Sequence, residues 1–211
     1  ELEFDYLVAA DGVYSRTKEI LFKKDGLPEY FNSIALRGNI QNFETKDISL
    51  YLGPNFHFVI YPTSQNNEFN FISVLRKQLI ENEISNRSLF NDKTFTNHLI
   101  NQISLKSNLN LEEIVKEVRC FPIFTSKKIQ IPNYKNIFLT GDAFFSFPPS
   151  LAQGASQSIE AANEVFKDLK NNSSNYYKIR AFKTKQINSR SSINHFAFHL
   201  GNPISVFVRN I

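Results

Sequence analysis

The chain opens on a nearly continuous apolar run, Phe4 to Ala10 (F-D-Y-L-V-A-A), that stops at Asp11-Gly12. A run this short, without alternation, predicts a strand buried on both faces. Ser15 is placed to cap a helix reaching about Phe22, and Asp25-Gly26 with Pro28 marks a loop over residues 23–28. From Ser33 to Leu75 the period drops towards two: Ile34, Leu36 and Ile40; Leu50 and Leu52; Phe58, Ile60 and Pro62; Phe69, Phe71 and Ser73. That pattern predicts an antiparallel sheet of at least four strands, turning at Gly53-Pro54-Asn55 and over Ser64 to Asn67. One or two helices are expected over Asp92 to Val118, from Leu99, Ile103, Leu111, Ile114 and Val115, and a strand over Val118 to Phe124. Asn136 to Thr140 repeats the short buried-strand pattern and ends in Gly141-Asp142. Ala155, Ile159, Ala162, Phe166 and Leu169, spaced four, three, four and three, predict a helix packed on a sheet through that stripe. A last helical region, about Asn175 to Leu200, stops at Gly201-Asn202-Pro203.

Composition narrows the class. With 211 residues, 42% apolar, 21% charged and a net charge of +4, the sequence is that of a globular protein with a core of its own. A single cysteine, Cys120, excludes an internal disulfide framework and a multi-cysteine zinc site, and a cytoplasmic location is expected. No apolar run reaches the roughly 18 residues of a membrane-spanning helix, and the opening Glu-Leu-Glu is unlike a signal peptide. Methionine is absent even at position 1, so the chain reads as a piece of a longer reading frame. Beyond Asp168 every charged residue is basic: Lys170, Lys178, Arg180, Lys183, Lys185, Arg190 and Arg209. A solvated helix face with acidic partners elsewhere in the fold is the favoured reading of this block. No nucleic-acid partner is expected, and a peripheral contact of the basic region with a membrane surface stays open.

Two segments share one layout, a buried strand whose carboxyl end carries an Asp beside a Gly, followed by a helix: Leu7 to Gly12 and Ile137 to Asp142. Ligands of open α/β sheets sit beyond the carboxyl ends of strands. An Asp there accepts hydrogen bonds from sugar or sugar-alcohol hydroxyls, and the Gly lets ligand atoms approach the backbone. One Asp-Gly alone favours an ordinary turn; two favour a cofactor site. The second is embedded in Gly141-Asp142-Ala143-Phe144-Phe145-Ser146-Phe147-Pro148-Pro149-Ser150-Leu151-Ala152-Gln153-Gly154-Ala155-Ser156. Here the double proline fixes an extended approach, Ser150 is a candidate cap, and Ala152, Gly154, Ala155 and Ser156 leave the first turn of the next helix open to a flat ligand. A helix amino end offers unpaired N–H groups and positive potential.

These residues resemble the FAD-dependent aromatic hydroxylases, the single-component flavoprotein monooxygenases acting on para-hydroxybenzoate, salicylate and ubiquinone precursors. Leu7-Val8-Ala9-Ala10-Asp11-Gly12-Val13-Tyr14-Ser15-Arg16 is similar to the family's second dinucleotide motif, and Gly141 to Ala162 to its G-D motif. The resemblance implies an α/β (α+β) fold: the C-terminal part of an FAD-binding Rossmann-like domain (residues 1–32 and 126–172) with an inserted antiparallel β-sheet substrate domain (33–125) and a C-terminal helical region (173–211). It implies FAD as cofactor and NADH or NADPH as reductant. Asp11, Gly12 and Arg16 would lie near the FAD and nicotinamide. Gly141 and Asp142 would hold the ribityl chain, Ala152, Gln153, Gly154, Ala155 and Ser156 would meet the flavin, and Pro149 would offer its carbonyl at the substrate edge. The implied reaction captures O2 as a flavin C4a-hydroperoxide and hydroxylates an aromatic or other electron-rich small molecule. Epoxidation, halogenation or reduction on the same scaffold, or binding without catalysis, are the alternatives.

Phe145 stands where the family often has His, Lys18 where it often has Arg, and Ala161 where an acidic residue is common. The family's initial G-x-G-x-x-G is missing, since the seven glycines contain no G-x-G. Arg37, Tyr61 and Arg76, on the expected sheet, are the candidates to meet an acidic or phenolic substrate, while Phe56, Phe58, Phe69 and Phe71 read either as walls of an apolar pocket or, more often, as core. His195 and His199 are four apart without a nearby carboxylate and read as structural; Cys120, in an apolar strand, reads as inert.

Overall fold

A computed structural model describes residues 3–41, 43, 47–63 and 67–210, with side chains through residue 207. In chain order the elements are β1 (Leu7–Ala9), α1 (Arg16–Phe22), β2 (Glu29–Gln41), β3 (Ser49–Gly53), β4 (Phe56–Pro62), β5 (Glu68–Arg76), α2 (Glu81–Ser85), α3 (Lys93–Ser107), α4 (Leu111–Ile114), β6 (Val115–Thr125), β7 (Ile137–Leu139), α5 (Gly154–Asn171), α6 (Tyr176–Phe198) and α7 (Pro203–Asn210). They form two compact units, Glu1–Glu29 with Phe124–His195, and Tyr30–Ile123 with Phe196–Ile211. The expected boundaries at 32/33, 125/126 and 172/173 compare with 29/30, 123/124 and 195/196.

In the first unit β1 and β7 pair in parallel, Leu7 opposite Ile137 and Ala9 opposite Leu139. Alternation along the strands sends Ala9 and Leu139 to one face, where they pack with Phe144, Phe145, Leu21 and Phe22, and sends Phe138 to the other, against Ala161, Val165 and Tyr176. The outer edge of β7 is closed by side chains. Tyr177 Oη donates to Ile137 C=O at 2.9 Å and accepts from Leu139 N–H at 2.8 Å, and Tyr176 Oη donates to Leu139 C=O at 2.7 Å.

The expected stripe of α5 does not pack. Ile159 is 73% exposed and Phe166 61%. The buried face carries Ala161, Glu164, Val165 and Asp168 instead. Glu164 and Glu160 pair with Arg180 and Lys183 of α6, and Asp168 accepts from the N–H groups of Asn175 and Tyr176, so polar positions of α5 are matched by a helix further along the chain.

In the second unit the five-stranded sheet runs β3-β4-β5-β2-β6, with β3-β4, β4-β5 and β5-β2 antiparallel. One face is the core. Ile34, Leu36, Ile40, Phe56, Phe58, Ile60, Phe69 and Phe71 pack there against Leu99, Ile100 and Ile103 of α3. Phe56, Phe58, Phe69 and Phe71 are therefore core and not pocket walls. The turn at Gly53-Pro54-Asn55 forms as expected, with Asn55 at φ 67°; the other expected turn includes 64–66, which lie outside the described residues. One expectation shifts, and one stretch without an expected element gains two. The one or two helices expected over 92–118 are α3 and α4, and the end of that stretch is the start of β6: Val115 belongs to the strand, and Glu117 at φ 51° breaks the run in a way that periodicity does not reveal. The stretch 81–91 also carries α2 and a short 3₁₀ turn. No helix among the described residues is long and apolar enough to cross a membrane.

Candidate cofactor site

The parallel pairing decides the site. Leu7 N–H donates to Asn136 C=O and Thr140 N–H to Ala9 C=O, both at 2.9 Å, so the two strands run in step and leave the sheet at the same end. Each exit bends through a left-handed glycine, Gly12 at φ 79° and Gly141 at φ 58°. The two exits bound one groove of about 440 Å³, lined by Val8, Ala10 and Gly12 from the first, Thr140, Gly141 and Asp142 from the second, and Ser158 and Ala162 of α5. Partial burial raises the pKa of the Asp142 carboxyl above its ordinary value.

Asp11 behaves differently from Asp142. Its carboxylate turns to the first turn of α1 and accepts from Thr17 N–H at 3.0 Å, beside the Ser15 cap that accepts from Lys18 N–H at 2.9 Å. Burial raises the pKa of Asp11, but hydrogen bonds from Ser15 and Thr17 outweigh it and the net shift is downward. Arg16 is exposed and paired with Glu19 on the same helix.

The approach to α5 has its own geometry. Pro149–Leu151 forms a 3₁₀ turn in which Pro149 C=O accepts from Ala152 N–H at 3.0 Å, and Ala152 sits at φ 51°. The helix then starts at Gly154 with Gln153 as its cap and no side-chain acceptor on its first N–H groups. Ser150 does not cap it, because the left-handed Ala152 intervenes; the Ser150 hydroxyl meets His195 Nδ1 at 3.2 Å instead. Pro149, Ala152, Gln153, Gly154, Ala155 and Ser156 are all exposed. Apart from its chain neighbours and its own helical turn, no atom of the described residues lies within 4 Å of where a Gly154 Cβ would stand. Asp142, Phe145, Gly154 and Gln157 share one small pocket, which places the Asp beside the open helix end.

Lys18, noted in the sequence only as a departure from the family's usual Arg, is buried, which the sequence did not reveal. It is 4% exposed, and its Nζ donates to Phe144 C=O at 3.0 Å and Ser126 Oγ at 3.2 Å, tying α1 to the segment that follows Asp142. Burial lowers its pKa to about 8. The only signal was its position on the same face of α1 as Leu21 and Phe22. Cys120 is buried, which pushes its thiol up to about 12.

On the face of the five-stranded sheet opposite its core, Arg37 pairs with Ile72 and Tyr61 with Asn70. Arg37, Tyr61 and Asn70 line one cavity of about 280 Å³ with Arg119 of β6, a residue the sequence reading did not single out. Arg76 pairs with Ser33 at the far end of β5, six residues from Asn70 and so about 20 Å away. His199 Nε2 lies 2.9 Å from His57 Nδ1 in the interior of this unit.

The model of the family described as "FAD binding domain" matches residues 1–174. No curated protein matches the sequence. Among solved structures, a salicylate hydroxylase in complex with substrate is 15% identical with a TM-score of 0.75, covering 94% of this chain and 56% of that one. HpxO of Klebsiella pneumoniae, complexed with FAD and uric acid, is 16% identical with a TM-score of 0.68, covering 98% and 56%. The 2,6-dihydroxypyridine-3-hydroxylase of Arthrobacter nicotinovorans is 15% identical with a TM-score of 0.72, covering 93% and 58%. The chain thus spans a little over half the length of these neighbours and shares their fold. The two glycine exits and the Asp142 groove lie within the matched residues, and the match over most of the sequence settles the family: this chain belongs to the family described as FAD binding domain.

Proposed function

We propose that the chain is the greater part of an NAD(P)H-consuming FAD monooxygenase that hydroxylates an aromatic or other electron-rich small molecule. The observation that carries this reading is the shared position of Asp142, which borders both the groove entered from Gly12 and the small pocket at the open amino end of α5. The groove suits a chain of hydroxyls, with a carboxylate to accept their hydrogen bonds and glycines where side chains would intrude. The helix end suits the electron-rich pyrimidine edge of a flavin: its first N–H groups lack side-chain acceptors, and Gly154 leaves the approach clear.

When bound, the flavin would supply the redox chemistry with O2. The residues of this chain do the rest. Asp142 holds hydroxyl groups, the N–H groups of Gly154 to Ser156 favour negative charge at the ring edge, and the remaining lone pair of the Pro149 carbonyl accepts from a substrate hydroxyl. Arg16 and Gly12 border the nicotinamide side, where Asp11 keeps α1 in place. Arg37 and Tyr61 form the polar side of a substrate surface whose apolar side is Val59 and Ile72, and Arg76 is too far along β5 to join them. The names of two neighbours, a salicylate hydroxylase and a dihydroxypyridine hydroxylase, favour hydroxylation over other flavin reactions.

The test is direct. The protein expressed from its complete reading frame is expected to purify yellow, and NADH or NADPH should bleach it faster when a phenolic compound is present. A colourless protein that takes up no added FAD would overturn the reading.

A further inference from the structure

Helix α6 buries polar side chains. Beyond Tyr176 its buried residues are Arg180, Thr184, Ser191 and His195, while Phe182 and Ile193 of the same helix are exposed. A hydroxyl or an imidazole in the interior costs free energy unless it meets a partner, so this face is understood through what it bonds. Arg180 takes Glu160, Glu164 and Gln157 of α5. Ser191 and His195, one helical turn apart, take the turn that leads into α5. The fully buried Ser191 Oγ donates to Pro148 C=O at 2.6 Å, and His195 Nδ1 meets Ser150 Oγ at 3.2 Å. Pro149 stands between the two contacts.

The contacts bracket a single soft torsion. Peptide planes are rigid. Ser191 holds the plane between Pro148 and Pro149 by its oxygen, and the Pro149 ring fixes the next torsion, φ. Only ψ of Pro149 is left to turn its carbonyl. Beyond that torsion Ser150 is held by His195, and the Ala152 N–H closes the turn on the Pro149 oxygen at 3.0 Å. The turn ends on Ala152 at φ 51°, a left-handed conformation that a residue with a side chain keeps only where its surroundings enforce it. Helix α6 supplies that enforcement. Pro149 itself is exposed, so the helix grips the turn from behind and leaves this residue accessible in front.

We propose that α6 sets the direction of the Pro149 carbonyl, and that Ser191 and His195 are positioning residues for the substrate hydroxyl which that carbonyl accepts. The proposal rests on the reading of Pro149 as the acceptor at the substrate edge of a flavin site. Such an acceptor separates a phenol from its methyl ether, since only the phenol has a proton to donate. The separation holds while the carbonyl points at the donor and fades once it swings away.

The experiment titrates phenol and anisole, one ring with and without a donor, into the FAD-bound protein expressed from its complete reading frame, and follows the flavin absorbance. The parent should bind phenol roughly 2- to 10-fold more tightly than anisole, the worth of one hydrogen bond. Ser191→Ala should bring that ratio to about 1 while FAD affinity stays unchanged, because the bond is lost and the ring contacts are not. Ser150→Ala, which removes a half-buried hydroxyl at the other end of the clamp, should do the same, and it decides the matter should Ser191→Ala not fold. A merely structural role would weaken both ligands alike and leave the ratio where it was. A ratio retained in either folded variant, an equal loss for phenol and anisole, or a parent that binds the two equally or binds neither would overturn the proposal. A colourless protein that takes up no FAD defeats the flavin reading itself, whereas a yellow one with those ratios defeats only the role of α6.

Discussion

Ala9 and Leu139 lie directly opposite each other in the parallel β1–β7 pair. Gly12 and Asp142 follow them by three residues each, so two segments 130 residues apart in the chain open into one groove. The chemistry of that groove depends on this register, because a slip of one residue in either strand would send the exits to different faces.

Asp142→Ala should weaken FAD binding by the worth of a hydrogen bond to a charged group, about 1.5–3 kcal/mol or roughly 10- to 150-fold. Equilibrium flavin absorbance of the whole protein measures it. Because burial raises the Asp142 pKa, lowering the pH through that raised value should protonate the acceptor and release flavin earlier than an ordinary carboxylate would. An occupancy unaffected by the substitution would remove Asp142 from the site.

Two glycine substitutions should separate folding from binding. Gly141→Ala forces a side chain into φ 58° and places its Cβ 2.8 Å from Ser158 Oγ, so it should cost about 1–2 kcal/mol and lower Tm by several degrees. Gly154→Ala meets no atom within 4 Å and should leave Tm unchanged or slightly raised while reducing flavin affinity, because its methyl group enters the opening the ring needs. Thermal melts and flavin titration of both variants decide the matter. Equal flavin affinity for Gly154→Ala and the parent would mean the ring does not approach there.

Much of this site is legible in the sequence because it is written in local chemistry. At both exits a strand runs into an adjacent aspartate and glycine, and the small residues Ala152, Gly154, Ala155 and Ser156 mark the open helix start. The packed face of α5 is not legible, for a physical reason. Glu164 and Asp168 are stable there only because Arg180, Lys183 and the amide groups of Asn175 and Tyr176 meet them, and no pattern within α5 announces partners on a following helix. The burial of Lys18 escapes for the same reason: its acceptors, Ser126 and Phe144, are more than 100 residues away. The sheet face that carries Arg37 and Tyr61 follows from alternation, whereas the arrival of Arg119 beside them depends on the register of β6, which its interruption at Glu117 obscures.

Lys18 should make stability rise with pH. Its folded pKa of about 8 lies below the 10.5 of an exposed lysine, so between these values the unfolded chain binds more protons than the folded one. Unfolding free energy from this group is therefore lowest below pH 8 and recovers as the pH climbs towards 10.5, by about 3 kcal/mol in total. Lys18→Met should remove this slope and be the more stable form, relative to the parent, at pH 7 than at pH 10. Urea unfolding of both proteins at the two pH values reads the difference directly, and parallel pH profiles would show that the ammonium is solvated.

The last prediction concerns the clamp between α5 and α6. Arg180, 3% exposed, binds Glu160 at 3.2 Å, Gln157 at 3.0 Å and Glu164 at 3.5 Å, and Glu164 is itself buried. Arg180→Met leaves the Glu164 carboxylate with Lys183 as its remaining cationic partner, and should cost about 3–5 kcal/mol, as expected when one member of a buried pair is removed. Replacing Glu164 with Gln in the same molecule takes away the stranded charge, so the double variant should recover at least about 1 kcal/mol of that loss. A double-mutant cycle by chemical denaturation tests the coupling. Additive losses would mean that Arg180 and Glu164 act independently, and that the acidic face of α5 is held in place by packing of Ala161 and Val165 alone.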